Sequence, residues 1–285
     1  MNPSPLRYPG GKHKMYKYIK ELVSVNNVDT YIEPFCGGSG LALELLLSKD
    51  VKKIIINDYD YSIYCFWKSV LDHTEDLIEK INSTDITIDE WYRQKDIRKD
   101  IYDHSIIEVG FSTLFLNRTN RSGIIDKAGP IGGYQQTGNY LIDCRFNKIK
   151  LNEKIRKIAK MKDKIEIYNL EALDFIDDVI KNEKKGFTFF DPPYYQKGQG
   201  LYTNFYSTGD HQTLSQKIVN DLKNKKWIVT YDLAPEIGQM YSTVDSISFT
   251  LSYTLQEKKR GAEFLFFSKK IKRIEDSEYL HFLEV

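Results

Sequence analysis

Short apolar runs that end at an acid, a proline or a glycine pair alternate with helical patterns through much of the chain. The run at 30–35, TYIEPF, stops at a glycine-rich turn, and the apolar stretch SGLALELLLSK after it has the composition of a buried helix. The next run, KKIIIND at 52–58, ends on an acid. A strand, a glycine-rich turn, a helix and a second strand are typical of a parallel sheet, so the pattern predicts an α/β fold.

Residues 59–162 lack this alternation, and we expect them to form an inserted, mainly helical domain. The amphipathic pattern of YSIYCFWKSVLDHTEDLIEKI predicts one long helix at 61–81. Three further helical stretches are expected, EWYRQKDIRKDIY, IIEVGFSTLFLN and the basic KLNEKIRKIAKM. Before the basic stretch lies a glycine-rich, irregular segment at 117–147.

Alternation resumes after residue 162. We expect five strands there, at 164–170, 186–190, 226–231, 246–255 and 262–269. The last two lie too close together for a helix to connect them, so we expect an antiparallel pair. With the two early strands this gives a seven-stranded, mostly parallel sheet. Residues 1–58 and 163–285 would then form one domain around the insert at 59–162.

Composition narrows the functional classes. The 285 residues include 41 basic and 40 acidic ones, so net charge alone suggests no polyanionic partner. No stretch approaches the roughly 18 apolar residues of a membrane span, and the N-terminus has no apolar signal core. The three cysteines and five histidines are scattered, which favours neither a disulfide framework nor a metal site. We expect a cytoplasmic protein without a metal or a membrane partner.

The turn EPFCGGSG, from Glu33 to Gly40, is a candidate ligand site. Glycines between a strand and a helix let a ligand approach the backbone. Asp58 follows Gly37 by 21 residues, at the end of the next strand. That spacing matches an acid that binds ribose hydroxyls in nucleoside-binding folds. The turn alone could be structural, but the turn and Asp58 together favour nucleoside binding.

A second candidate site is DPPY, which directly follows the apolar strand GFTFF. An exocyclic amine on a base is a poor nucleophile because its lone pair is delocalised into the ring. Asp191 and the Pro192 carbonyl could accept its two N–H hydrogens and so localise that lone pair. Pro192 and Pro193 would stiffen the turn, and Tyr194 offers a face on which the base can stack. The alternative is a proline-rich strand end with an incidental acid.

These motifs, together with LRYPGGK near the N-terminus, NRT at 117–119 and the late RGAEFLFF, resemble the Dam-type (D12 class) DNA adenine-N6 methyltransferases. Their order is similar to the α group of that family, with the cofactor turn first, the target-recognition domain next and the catalytic motif last. The resemblance implies a class I methyltransferase fold, which is Rossmann-like, and S-adenosylmethionine as cofactor. It also implies duplex DNA as substrate and residues 59–162 as the target-recognition domain.

The resemblance also implies roles for individual residues. The catalytic tetrapeptide would be Asp191, Pro192, Pro193 and Tyr194. The cofactor-binding set would be Tyr8, Lys12, Phe35, Gly37, Gly38, Gly40, Asp58, Asp174 and Asp191. Cys36 lies in the cofactor turn, but we interpret it as a small buried residue and not as a nucleophile. We interpret His211 first as a residue at the start of a helix and second as a substrate contact.

The expected DNA contacts come from local charge. Residues 117–160 hold ten Lys and Arg against three acids, a local net charge of +7 suited to phosphates, although a solvated basic helix has the same composition. The side chains expected to contact DNA are Arg118, Arg121, Gln135, Gln136 and Arg145 for base edges, with Lys154 and Lys157 for phosphates. The loop differs from that of the family members that methylate GATC, so this specificity is not carried over.

Several alternatives stay open at this stage. The same tetrapeptide chemistry serves cytosine-N4, RNA adenine and protein amide methylation. The chain could also be a non-catalytic DNA-binding module, although an intact Asp191 argues against this. A nicotinamide-dependent dehydrogenase would share the glycine turn and Asp58 but would not need DPPY. We expect a monomer associated with a bacterial or phage nucleoid, with a cognate restriction endonuclease as a candidate partner.

Overall fold

The computed structural model describes residues 2–8, 10–196, 206–250, 262–274 and 279–283. Eight strands lie in these ranges: β1 (Thr30–Glu33), β2 (Lys53–Asn57), β3 (Ile165–Tyr168), β4 (Gly186–Phe190), β5 (Lys226–Asp232), β6 (Asp245–Thr250), β7 (Ala262–Phe267) and β8 (His281–Leu283). The helices there are α1 (Tyr16–Val25), α2 (Gly40–Leu47), α3 (Tyr61–Asp72), α4 (Thr74–Ser83), α5 (Ile88–Ile97), α6 (Ile106–Thr119), α7 (Lys148–Ala159), α8 (Ala172–Phe175), α9 (Thr208–Asp221) and α10 (Pro235–Met240).

All eight strands form one sheet with the order β3-β2-β1-β4-β5-β7-β6-β8. The first five strands in this order are parallel to one another. Strand β7 is antiparallel to both β5 and β6. The predicted α/β class and the predicted antiparallel pair are therefore confirmed. The sheet holds one strand more than the predicted seven, because the three-residue β8 is too short to give a recognisable pattern. Part of the predicted strand at 246–255 lies outside the described residues.

The central strands are buried on both faces, which explains their nearly continuous apolar sequences. All four residues of β1 are buried, and so are the last four of both β2 and β4. Two hydrophobic clusters cover the two faces, one containing Ile54 and Phe187 and the other containing Ile55 and Phe190. Because β1 is parallel to both β2 and β4, the carboxyl ends of these three strands lie together at one edge of the sheet, where ligands bind in such folds.

The predicted insert is helical, as expected, but the long helix predicted at 61–81 is two helices. The backbone leaves the helical region at His73, with φ −130° and ψ 42°, so α3 ends there and α4 begins. The His73 carbonyl accepts a hydrogen bond from the Leu77 N–H and thereby starts the second helix. Amphipathic periodicity continues across the break, which is why the sequence pattern did not reveal it.

The helical segment shares a core with the sheet. One hydrophobic cluster joins Ile54 of β2 to Phe66 of α3, Phe115 of α6 and Ile155 of α7. The indole N–H of Trp67 also donates to the Gly37 carbonyl oxygen across 2.9 Å. Helix α3 is therefore fixed directly to the turn after β1. Within the described ranges, no helix is both long and apolar enough to cross a membrane.

Candidate active site

A cavity of about 190 Å³ lies at the carboxyl ends of β1, β2 and β4. The structure brings together at this cavity predicted site residues from three distant parts of the sequence: Tyr8, Lys12, Phe35, Gly37, Gly38, Gly40, Asp58, Asp191 and Pro193. The segment from Gly123 to Lys127, in the predicted insert, lines it as well. The cavity is therefore enclosed by both parts of the predicted architecture.

The turn after β1 requires glycine for two reasons. Gly37 has φ +43°, a conformation that side chains disfavour, and its N–H donates to Asp58 Oδ2 across 2.8 Å. A Cβ at Gly37 would lie 2.6 Å from the Tyr8 ring, and one at Gly38 would lie 2.9 Å from the Tyr8 Cβ. Tyr8 packs directly on the turn, so the N-terminal segment and the glycines form one surface.

Asp58 stands immediately after β2 with its carboxylate held in place. Oδ2 accepts the Gly37 N–H, and Oδ1 accepts the Asp60 N–H across 3.0 Å. Burial, followed by the charge of Asp60, raises the pKa of Asp58 to about 7, although both backbone bonds act in the opposite direction. An ionised carboxylate has about four acceptor positions, so this one retains capacity for the hydroxyl groups of a ligand.

Two aromatic rings flank the same cavity. Phe35 comes from the turn after β1 and Tyr206 from the residues before α9, and their ring centroids are 6.0 Å apart in an edge-to-face arrangement. An apolar wall beside a carboxylate suits a ligand with a planar base and a ribose. Tyr206 was not among the predicted site residues, because the spacing between it and the DPPY motif carries no recognisable pattern.

Asp191 directly follows β4, and one of its oxygens is fixed from two sides. The Thr230 hydroxyl donates to Oδ1 across 2.8 Å, and the Lys12 ammonium lies 2.8 Å from the same oxygen. Both of these contacts involve Oδ1, so they orient the carboxylate, and Asp191 itself lines the cavity.

Asp232, at the end of β5, holds the loop that carries DPPY. Its Oδ1 accepts the Tyr195 N–H and its Oδ2 accepts the Gln196 N–H, each across 2.9 Å. Two backbone bonds to a carboxylate stiffen the chain just past Tyr194. Prolines were expected to provide this rigidity, and the structure adds a carboxylate from the neighbouring strand.

Lys12 is buried at the centre of the catalytic cluster. Its ammonium contacts Asp191, the Tyr194 hydroxyl at 3.2 Å and Glu263 Oε2 at 3.3 Å. Burial disfavours the charged form, but Asp191, Glu263 and Tyr194 outweigh it and raise the pKa of Lys12 well above its ordinary value. Lys12 was predicted as a cofactor contact, and the structure adds an ion pair with Asp191.

Glu33, the last residue of β1, is a buried carboxyl group beside this cluster. The Tyr31 hydroxyl donates to its Oε1 across 3.1 Å and the Ser39 hydroxyl to its Oε2 across 3.2 Å. Burial raises the pKa of Glu33 to about 8, and the nearby charge of Asp191 acts in the same direction. The group therefore carries a proton at neutral pH.

The interpretations of Cys36 and His211 agree with their positions. Cys36 is buried, and burial raises the pKa of its thiol well above the usual value, so a thiolate nucleophile is disfavoured there. His211 lies in the first turn of α9, where its Nδ1 is 2.8 Å from the Tyr231 hydroxyl. Asp174, in contrast, is exposed on α8 and does not line the cavity.

Two residues predicted to contact DNA instead hold the N-terminal segment 2–8. The Arg118 guanidinium donates to the Pro5 carbonyl, and the Lys154 ammonium donates to the carbonyls of Asn2 and Ser4 across 2.8 and 2.9 Å. Asn117 completes the attachment, because its side-chain amide bonds both the N–H and the carbonyl of Arg7. The DNA contacts of Arg118 and Lys154 remain predictions, but their bonds here are internal.

The remaining predicted DNA contacts divide by exposure. Gln136 uses its amide inside the loop, donating to the Ile131 and Gly133 carbonyls and accepting the Ile142 N–H. The other four side chains are exposed: Arg121, Gln135, Arg145 and Lys157. These four are therefore available to a partner in this conformation.

Sequence reasoning missed Thr230, Asp232 and Glu263. Thr230 and Asp232 lie at the end of β5, and Glu263 lies near the start of the antiparallel β7. The rule that selected Asp191, a polar residue where a strand meets the ligand-binding edge, would have found all three once the strand order was known. The order could not be deduced from the sequence.

The sheet order, with the antiparallel β7 between β5 and β6, and the site at the ends of β1, β2 and β4 define a class I methyltransferase fold. The chain matches the D12 class N6 adenine-specific DNA methyltransferases over residues 8–258, and it belongs to that family. The predicted family is thereby confirmed.

Two curated relatives are Type II methyltransferases. M.MjaIII of Methanocaldococcus jannaschii is 26% identical over 209 residues, which cover 66% of this chain and 68% of the relative. M1.LlaDCHI of Lactococcus lactis subsp. cremoris is 24% identical over 208 residues, covering 66% of this chain and 64% of the relative. Among solved structures, the rRNA methyltransferase AviRa of Streptomyces viridochromogenes is 12% identical, with a TM-score of 0.39 over 92% of this chain and 87% of that one. A TM-score this low carries no argument.

Enzymes of this family depend on S-adenosylmethionine, and the cavity fits that group. Asp58 retains acceptor positions suited to ribose hydroxyls, and Phe35 and Tyr206 provide aromatic walls suited to adenine. The glycine turn after β1 lines the cavity together with Glu33 and Asp191. Asp58, the two aromatic rings and the glycine turn all line the same cavity, which suits a nucleoside cofactor.

Proposed function

We propose that this protein transfers a methyl group from S-adenosylmethionine to N6 of an adenine in duplex DNA. The observation that carries the proposal is the geometry of Asp191, which is fixed through Oδ1 and lines the cavity. An adenine inside a base-paired helix cannot reach an acid at the end of a buried strand. The target base therefore has to leave the helix.

The cofactor would be held by residues from all sides of the cavity. Asp58 would accept hydrogen bonds from the ribose hydroxyls, Phe35 and Tyr206 would contact the adenine, and the turn at Gly37 and Gly38 would lie beside the methionine part. S-adenosylmethionine supplies an electrophilic methyl group when it is bound. Lys12 is committed to Asp191 and Glu263, so we assign it to the catalytic cluster first.

The chain's own groups prepare the target amine. Asp191 Oδ2 accepts one N6 hydrogen and the Pro192 carbonyl oxygen accepts the other, which localises the lone pair and directs it out of the ring plane. The Tyr194 ring supports the base. Because the amine loses its extra proton easily after methylation, no strong base is needed. Preorganised acceptors of this kind contribute by being in place before the reaction.

The exposed basic face next to the site would hold the DNA. Arg121, Gln135 and Arg145 lie in or beside the loop 120–145, and Lys157 lies on α7. The local net charge of +7 over residues 117–160 supports phosphate binding there. The names of both relatives refer to Type II methyltransferases, so we also propose that the enzyme protects DNA against a cognate restriction endonuclease.

The test is to identify the product. The purified protein is incubated with labelled S-adenosylmethionine and, separately, with duplex DNA, RNA and protein, and each substrate is digested and analysed by mass spectrometry. We expect N6-methyladenine from duplex DNA alone. N4-methylcytosine, a methylated RNA nucleoside or a methylated side chain as main product would contradict the proposal and would point to the corresponding alternative.

A further inference from the structure

Glu263 lies beside the catalytic tetrapeptide although it is 69 residues from Tyr194 in sequence. Strand β7 is antiparallel to β5, and its residue Glu263 pairs with Asp232 at the end of β5. An antiparallel strand presents its first residues at the edge where parallel strands end. The sheet topology therefore places Glu263 at the edge where Asp191 and Asp232 lie.

The contacts of Glu263 are directed at the catalytic groups. Its Oε1 accepts the Tyr194 hydroxyl across 2.8 Å. Its Oε2 lies 3.3 Å from the Lys12 ammonium, in an ion pair whose orientation does not make a hydrogen bond. The side chains of Lys12 and Glu263 are only 5% and 12% exposed, so water screens these contacts little.

Tyr194 is held by its hydroxyl from two directions, by Glu263 Oε1 at 2.8 Å and by Lys12 Nζ at 3.2 Å. Two contacts at the hydroxyl fix the far end of the tyrosine side chain, because rotation about the Cα–Cβ bond would break both of them. The proposed role of Tyr194 is to support the target base, so the position of this ring sets the position of the base.

The same cluster determines how Lys12 is shared. Its ammonium lies between Asp191 and Glu263, at 2.8 and 3.3 Å. One cation between two carboxylates is attracted to both, so Glu263 contributes to the position of the Lys12 ammonium. Burial raises the pKa of Glu263 and Lys12 opposes part of that rise, which agrees with a close pair in a poorly hydrated site.

From these contacts we infer that Glu263 is a positioning residue for the methyl transfer. It fixes the ring of Tyr194 through the hydroxyl and balances Lys12 against Asp191, so that the acceptor on Asp191 and the stacking face keep one relative geometry. This inference rests on the proposed function. A merely structural Glu263 would neutralise the buried Lys12 and affect stability without affecting the chemical step.

The test uses a double-mutant cycle in the full-length protein, with kcat and the KM values for S-adenosylmethionine and duplex DNA measured for each variant. We expect Glu263→Ala to lower kcat at least about tenfold with little change in either KM, since a displaced contact group costs rate and not binding. Tyr194→Phe keeps the ring but removes this hydrogen bond and the one from Lys12, so the loss in the double variant should be smaller than the product of the two single losses. Glu263→Gln retains an acceptor for Tyr194 and should recover part of kcat.

Strand β3, at one end of the strand order, offers a control with the same two kinds of contact. Glu166 on β3 also accepts a tyrosine hydroxyl, that of Tyr168 at 3.2 Å, and also pairs with a lysine, Lys53 at 2.5 Å. Glu166→Ala and Tyr168→Phe should leave kcat as it is in the wild type. If Glu263→Ala does not fold, Glu263→Gln takes its place: its kcat should lie below the wild-type value, and an unchanged kcat would overturn the inference.

Three results would overturn the inference: an unchanged kcat for Glu263→Ala, a double variant whose loss is the product of both single losses, or a Glu263→Gln variant as slow as Glu263→Ala. The wild type in the same assay separates this inference from the proposed function. If the wild type does not methylate adenine in DNA, the proposed function fails. If it does and Glu263→Ala matches it, only the role of Glu263 fails.

Discussion

Asp58 was assigned to cofactor binding from its spacing and from the resemblance, and Asp174 from the resemblance alone, and their surroundings differ. Asp58 is held at the cavity by two backbone N–H groups, whereas Asp174 is exposed on α8. The position of a carboxylate relative to the cavity decides whether it can bind a ligand there. The two residues therefore provide a contrast at the scale of single side chains.

We expect Asp58→Ala to weaken S-adenosylmethionine binding and Asp174→Ala to leave it nearly unchanged. Each hydrogen bond to a charged acceptor contributes about 1.5–3 kcal/mol. The loss of at least one such bond in Asp58→Ala should therefore raise Kd by about tenfold or more. Isothermal titration calorimetry of both variants provides the measurement. Equal weakening in both variants would return Asp174 to the site.

The buried Glu33 predicts a pH dependence of stability. Burial raises the pKa of Glu33 to about 8, so the folded protein keeps a proton that the unfolded chain releases at a much lower pH. The folded state thus binds more protons between the two values, so its stability falls as pH rises from the unfolded value to about 8 and levels off above it. We expect Glu33→Gln to remove this component and to flatten the curve of Tm between pH 5 and pH 9 relative to the wild type.

The exposed Glu153 supplies the control for that comparison. Glu153→Gln should follow the wild-type curve of Tm against pH, since the surroundings of an exposed side chain change little on folding. A Glu33→Gln curve parallel to the wild type over the whole range would show that this carboxyl group does not hold its proton in the folded protein.

At the scale of elements, the loop after β4 depends on β5. Asp232 bonds the N–H groups of Tyr195 and Gln196, so the rigidity of the catalytic loop comes from a neighbouring strand as well as from its prolines. We expect Asp232→Ala to lower the free energy of unfolding by about 1–3 kcal/mol. Methyl transfer should fall by roughly 10–100-fold, because the acceptors shift.

Urea unfolding and single-turnover kinetics measure the two effects of Asp232→Ala separately. The control is Asp245→Ala, at the start of β6, where the carboxylate is exposed and lies 3.6 Å from Arg273. That variant should keep the wild-type transfer rate. An Asp232→Ala enzyme with an unchanged rate would show that the prolines alone hold the loop.

The elements also show what a sequence can predict. The strand–turn–helix unit at 30–47 and the acids after β2 and β4 follow from apolar runs and from the chemistry of their ends, and the structure has them. The break between α3 and α4 could not be predicted from the sequence, because the apolar period continues through His73. Tyr206 and Glu263 could not be selected either, since only the sheet order brings them to Phe35 and Tyr194.

Across the whole molecule, the helical segment and the sheet domain are joined through residues 2–8. Asn117, Arg118 and Lys154 bond the backbone of this segment, and its Tyr8 packs on the cofactor turn. The predicted DNA-binding region and the cofactor cavity thus share a structural connection. Local charge suggested phosphate binding for Lys154, but composition could not show that its ammonium bonds this segment.

Lys154 and Lys157 should therefore behave differently although both lie on α7. Lys157 is exposed, so Lys157→Ala should weaken binding to all DNA sequences and lower the salt dependence by a slope of about one. Lys154→Ala should mainly loosen residues 2–8, lowering Tm and S-adenosylmethionine affinity. Fluorescence anisotropy at several salt concentrations, with calorimetry for the cofactor, distinguishes them. Indistinguishable behaviour would contradict the internal role of Lys154.

The central claim is that Asp191 activates an adenine amine, and a single-turnover assay tests it most directly. Wild type and Asp191→Ala are mixed with saturating labelled S-adenosylmethionine and duplex DNA, and N6-methyladenine is counted over time. We expect the wild type to form this product and Asp191→Ala, still folded, to form it at least about 10²-fold more slowly, since one preorganised polar group is lost. Transfer by Asp191→Ala at near the wild-type rate would contradict the account.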